Sequence, residues 1–151
     1  MKRFLTFLFL VLSFGFSLAA QNVLNQDCDA IVGTYEVCHQ GEKAHVQITK
    51  ETDGSYRARV IWVEDRLDKK GNVRLDEKNP DKSLRHVECD NIVLFSGLKY
   101  DEAKCRWSGC KLYDPTRGIR ANMVCEFHPD GTLRVKGSLL GFSQSIYWKK
   151  L

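Results

Sequence analysis

From Ile31 to the C-terminus the chain runs in short stretches where apolar and polar residues alternate, separated by residues that favour turns. In YRARVIWV, Tyr56, Ala58, Val60 and Trp62 share one face, and Arg57 and Arg59 take the other. In IRANMVCEF, Ala121, Met123, Cys125 and Phe127 oppose Arg120, Asn122 and Glu126. In TLRVKGSLL, Leu133, Val135, Gly137 and Leu139 oppose Arg134 and Lys136. One wet face and one dry face at a period of two is the pattern of an antiparallel sheet. IVGTYEVC, KAHVQITK, NIVLFSGLKY, CRWSGCKLY and FSQSIYWKK bring the candidate strands to eight. NIVLFSGLKY is apolar on both faces, and CRWSGCKLY is ambiguous because Lys111 shares a face with Trp107. The intervening HQGE, ETDG, DEAK, DPTRG and HPDG supply the Gly, Pro and Asp of tight hairpins.

Eight sequential strands with one apolar face must hide that face and two sheet edges. An antiparallel up-and-down barrel does both. The fold class expected is therefore all-β, with a two-sheet sandwich as the alternative. An eight-stranded barrel is either filled by side chains or holds one small ligand.

One connection does not fit the hairpin pattern. Between YRARVIWV and NIVLFSGLKY lies a long, charged segment, Glu64 to Asp90, containing LDEKNPDKSLR. Connections of that length in a compact domain are functional or disordered. Asn79 suits a helix N-cap and Pro80 the first helical position. Asp81 favours the positive end of the dipole, and Leu84 and Val87 offer a small apolar stripe. The expectation is a short helical cap over one barrel end at residues 78–88, with Arg85 near Asp76 or Asp81 and a looser Asp65–Arg74 stretch beside it.

The N-terminus changes the picture of where the protein works. Lys2 and Arg3, the apolar run FLTFLFLVLSFGF and SLA ending at Ala19 read as an export signal over residues 1–20. The apolar run is shorter than the ~20 residues a spanning helix needs, so no membrane span is expected. Residues 21–151 then form a single periplasmic or secreted barrel domain. Without Lys2 and Arg3, the 23 basic residues set against 19 acidic ones leave a formal charge of +2. Lys and Arg are interleaved with Asp and Glu, a solvated surface and not a phosphate-binding stripe, so no nucleic acid partner is expected. Six cysteines, Cys28, Cys38, Cys89, Cys105, Cys110 and Cys125, in an exported chain predict two or three disulfides. Cys105 and Cys110 on one straight strand would stand about 16 Å apart. A bridge wants Cα atoms within roughly 7 Å, which discounts that pair.

LDKKGNVRLDEKNPDKSLR, LFSGLKYDEAKCRWSGCKLYDPTRG and GTLRVKGSLLGFSQSIYWKKL resemble the exported bacterial family catalogued as domain of unknown function 2147. The similarity runs from about Ile31 to Leu151. It implies a small lipocalin- or streptavidin-like barrel in the periplasm or outside the cell. IVGTY looks like the Gly-x-Trp opening of such barrels, with Tyr35 in the aromatic place. Many members carry two cysteines where this chain has Lys50 and Ser55, so no family disulfide carries over. The resemblance names neither a reaction nor a ligand.

Candidate chemistry is sparse. HVEC, with His86 and Cys89, and the neighbouring Cys38 and His39 lack the paired close spacings of a structural zinc site, so no metal or other cofactor is expected. No nucleophile elbow, phosphate loop or dinucleotide fingerprint appears, and no catalytic residue is assigned. YDPTRG reads as a tight turn: Asp114 bonds its own backbone ahead, Pro115 sets the first turn position and Gly118 takes the left-handed one. Tyr35, Tyr56, Trp62 and Trp148 fall on predicted inner faces, and Gln144 shares the face of Phe142, Ile146 and Trp148. A buried amide needs a partner, inside the barrel or on a ligand. With Lys78 and Arg85 from the charged connection, these are the candidate ligand-binding residues. The expected function is a monomeric, non-enzymatic exported barrel holding a small, partly apolar ligand at its mouth. The alternative is a filled barrel whose loops contact a protein or glycan at the cell envelope.

Overall fold

The structure, a computed structural model, describes residues 23–151; the expected export signal lies outside the described residues. The strands are β1 Gly33–His39, β2 Glu42–Lys50, β3 Tyr56–Val63, β4 Val93–Asp101, β5 Arg106–Asp114, β6 Ile119–Phe127, β7 Leu133–Leu139 and β8 Phe142–Lys150. Each pairs antiparallel with the next, and β8 returns to β1 with Tyr35 opposite Lys150 and Glu36 opposite Lys149. The barrel is closed, so the sandwich alternative does not hold. Gly33 makes the seam possible, because a Cβ there would stand 2.6 Å from Cε of Lys150. Lys150 uses that space to donate from Nζ to the Ala30 carbonyl (2.8 Å).

Large inward side chains concentrate at one end. Tyr35, Tyr56, Leu98, Trp107, Phe127 and Leu133 are fully buried there. The segment preceding β1 plugs this end. Asn25 accepts from the Phe127 N–H (2.7 Å) and donates to its carbonyl (3.1 Å). The Trp107 indole donates to the Cys28 carbonyl (3.0 Å), the Tyr35 hydroxyl to that of Ile31 (2.7 Å) and the Tyr56 hydroxyl to Asp29 (2.7 Å). Each aromatic buries its ring and hands its one polar atom to the plug, which is what such side chains require when buried.

Register shifts on β3 and β5 correct the strict alternation read from sequence. Val46 faces Val60 but His45 faces Trp62, so Ile61 is the extra residue and the faces swap beyond it. Trp62 therefore leaves the predicted inner face; it is 43% exposed and packs on His45 with ring centroids 4.6 Å apart. On β5 the register shifts between Ser108 and Lys111, which sends Lys111 outward opposite Asn122 while Trp107 stays buried. The disulfide expectation is also corrected: all six cysteines are free thiols. Cys38 is exposed whereas Cys89 and Cys125 are buried.

The long β3–β4 connection is an ordered strap. Its first half, expected to be loose, is held by a Leu67–Val73 bridge and by Arg66, which pairs with Glu88 and Asp90 (2.6 Å each). Leu75 bridges to Glu88 farther along. The expected helix over residues 78–88 is reduced to one 3₁₀ turn, Lys82–Leu84. Asp81, not Asn79, caps it, accepting from the Ser83 N–H (2.9 Å). Asn79 is instead drawn inward by Asp76: its amide donates to that carboxylate (2.7 Å), and its own Oδ1 accepts from the Asp81 N–H (2.9 Å). Arg85 bonds the Asn79 carbonyl (2.8 Å) in place of the expected carboxylates. Leu84 is left exposed and Val87 packs against the core.

The strap docks on the β5–β6 hairpin. Asp76, 3% exposed, accepts from the Tyr113 hydroxyl (2.5 Å), and Lys78 donates to the Thr116 carbonyl (2.6 Å). Gly118 sits at φ +68°, and a Cβ there would collide with the Lys78 carbonyl oxygen. Gly118→Ala should therefore add left-handed strain to a steric conflict and cost about 2 kcal/mol or more. It should lower the melting temperature and speed tryptic cleavage at Lys78, Lys82 and Arg85. Unchanged melting and cleavage would contradict the docked strap.

Thiol labelling tests the barrel wall. Burial pushes the Cys110 thiol up to about 11 and raises that of Cys125 as well. The reactive species is the thiolate, so both stay inert at pH 8 in the folded protein. Iodoacetamide should modify exposed Cys38 first and reach Cys110 and Cys125 only on unfolding. Alkylation of Cys110 as fast as Cys38 in the native protein would contradict this packing.

Candidate functional site

The end opposite the plug is open. Here the β1–β2, β5–β6 and β7–β8 hairpins and the strap surround a cavity of about 580 Å³ that reaches into the barrel. Its wall follows from residue size at the inward positions. On β7 the inward series is Leu133, Val135, Gly137, and on β6 it is Phe127, Cys125, Met123, Ala121, so bulk falls towards the open end. Val46, Val60, Leu94, Val135 and Ile146 line the sides. Trp148 forms the floor. Its ring stacks on Phe95 (6.4 Å, 19° between planes) and meets Tyr35 at 6.1 Å, neither of which reaches the cavity.

The rim is polar, and most of its groups are engaged. Arg74 donates to both carboxylate oxygens of Glu42 (2.7 and 3.2 Å) and to the Asp65 carbonyl (2.6 Å). The hydrogen-bonded Glu42 carboxylate raises the Arg74 pKa further. Burial, and after it donation to Asp76, raises the Tyr113 phenol and keeps it protonated. In the YDPTRG turn Asp114 accepts from the Thr116 N–H (2.9 Å) and hydroxyl (2.6 Å), and the Gly118 N–H donates to the Asp114 carbonyl (2.8 Å). The turn is the one its residues predict, and it also borders the mouth. His39 Nε2 lies 3.5 Å from both Asp114 Oδ2 and Thr116 Oγ1.

Two polar groups stand apart. Gln144 lies on the cavity wall, exposed, with no side-chain hydrogen bond among the described residues. Its inward position predicts an amide either paired inside the barrel or available to a ligand, and no side-chain partner is present among the described residues. The Trp148 Nε1–H at the floor is buried and has no partner among the described residues.

Of the seven residues singled out from sequence, Gln144 and Trp148 meet at the cavity, four apart on one face of β8. Tyr35 and Tyr56 belong to the plugged end, Trp62 to the outer surface, and Lys78 and Arg85 to the strap. His39 and Cys89, weighed from sequence only as metal ligands, also lie at the mouth, and sequence reasoning missed Arg74 there. It also missed the hairpin tip Leu139–Phe142, whose apolar residues at a two-residue turn were the available signal.

Among solved structures, this barrel is similar to one described as protein HP1028 from the human pathogen Helicobacter pylori, which belongs to the lipocalin family. The TM-score is 0.64 at 23% identity, over 80% of this chain and 82% of that one, a likeness of fold. No curated protein matches the sequence. A family model described as "uncharacterized protein conserved in bacteria" (DUF2147) matches residues 33–150, and the chain belongs to that family.

Proposed function

We propose that this protein is an exported, non-enzymatic carrier that holds a small, partly apolar ligand in the open end of its barrel. The observation that carries the reading is the cavity of about 580 Å³, apolar in its walls and polar at its rim. That size lies within the range of roughly 300–1,000 Å³ typical of small-molecule sites. Gln144 and the orphan Trp148 N–H are the proposed polar contacts, and both offer donors, so the ligand carries a hydrogen-bond acceptor. A buried, unpaired donor is costly, and an acceptor brought by the ligand would remove that cost.

The absence of enzymatic chemistry is supported by how the rim groups are used. Arg74 is held by Glu42, and Asp76 by Tyr113 and Asn79. Burial raises the pKa of the Cys89 thiol on the wall, which disfavours the thiolate a nucleophile would need. Periplasmic or secreted localisation rests on the basic start and apolar run of residues 1–20.

Titration with an environment-sensitive apolar dye tests the reading. Saturable binding is expected, with Ala121→Trp weakening it at least about tenfold, or roughly 1.4 kcal/mol, because the indole fills the cavity. Circular dichroism should show the barrel intact in the variant. No saturable binding, or binding indifferent to Ala121→Trp, would favour the interaction-module alternative.

A further inference from the structure

The β7–β8 hairpin combines two unfavourable features at one place. Leu140 is 89% exposed and Phe142 83%, more than any other large apolar side chain among the described residues. Leu139 pairs with Phe142, so the turn has two central residues, Leu140 at φ +49° and Gly141 at φ +82°. A turn of this kind needs left-handed backbone at both positions, hence the usual Asn-Gly. A leucine there is strained. The β1–β2 hairpin solves the same problem with Gln40 (φ +53°) and Gly41 (φ +84°), a polar residue in the corresponding place. At the β7–β8 tip the chain accepts both backbone strain and apolar exposure, at the edge of the cavity mouth that Leu140 and Phe142 also line.

The surroundings indicate what meets the tip. Lys136 lies on the outer face of β7, opposite Ser145. Lys111 lies on the same outer face two strands away, linked through the Lys111–Asn122 and Asn122–Ser138 pairs. Both are exposed and neither forms an ion pair among the described residues. Projecting apolar side chains backed by unpaired cations match a bilayer interface with anionic headgroups. The tip presents only Leu140 and Phe142 with the partly exposed Leu139, too little for the roughly 1,000 Å² that a stable protein interface buries.

We propose that the β7–β8 tip docks the open end of the barrel onto an anionic lipid surface. Leu140 and Phe142 enter the interfacial layer, and Lys111 and Lys136 face the phosphates. The hairpin also borders the cavity mouth, so docking turns the mouth towards the bilayer. Exchange of an apolar ligand with that bilayer rests on the carrier reading above; the docking itself does not.

Co-sedimentation with vesicles of phosphatidylcholine containing phosphatidylglycerol, against phosphatidylcholine alone, tests the proposal. The wild type should sediment with the anionic vesicles and be released by salt. Leu140→Asn and Phe142→Ser should each weaken partitioning severalfold, and Lys111→Gln with Lys136→Gln should remove the preference for phosphatidylglycerol. Leu140→Asn should melt no lower than the wild type, because asparagine tolerates the left-handed turn. A vesicle-binding loss accompanied by unfolding would therefore overturn the argument, as would a wild type that stays off both vesicles. Retention of binding in the tip variants, or a concentration-dependent dimer without vesicle binding, would also overturn it. Apolar-dye binding is measured separately. A chain that binds vesicles but no dye leaves the docking surface standing and removes the carrier reading; one that binds dye but no vesicles does the reverse.

Discussion

An eight-stranded barrel has an interior whose width is set by closure, so the size of each inward side chain decides where that interior is full. Closure here comes from the β1–β8 seam at Tyr35–Lys150 and Glu36–Lys149, with Gly33 and Lys150 packed through each other. Once the ring is shut, the inward rows taper. Tyr35 gives way to Val37, Tyr56 to Ala58 and Val60, Leu133 to Val135 and Gly137. The bulky end needs a plug and receives one from the segment before β1. The slender end is left with a cavity. Packed core and candidate site are thus two ends of one gradient.

The strap shows how polar groups stabilise the open end without filling it. Asp76 is nearly inaccessible, and an isolated buried carboxylate would be expensive. Donors from Tyr113 and Asn79 offset that cost and tie the strap to β5. Gly118 lets the two backbones approach, and Lys78 closes the contact on Thr116. Within this charged connection Arg66, Arg74 and Asp76 bond groups of neighbouring segments.

Much of the fold was legible because alternation reports directly which face a residue takes. It failed where a bulge inserted a residue, and nothing in ARVIWV marks Ile61 as the extra one. It also says nothing about height along the barrel axis. For that reason Tyr35 and Tyr56, correctly assigned to the interior, lie at the plugged end and away from the cavity. Gln144 and Trp148 reach the cavity because β8 carries its inward row up from the floor. The strap's helix was overread from Asn79 and Pro80, since the pull of Asp76 on Asn79 is a tertiary effect that local capping rules do not contain.

The central claim is that the open end is a ligand site and not an incidental void. Native mass spectrometry of protein purified without detergent or denaturant tests it most directly. The account predicts a population carrying a non-covalent adduct of a few hundred daltons, within the drug-sized range such cavities enclose. That adduct should be lost on organic extraction and absent from Ala121→Trp. A bare mass for the wild type, unchanged after incubation with a panel of apolar small molecules, would contradict it.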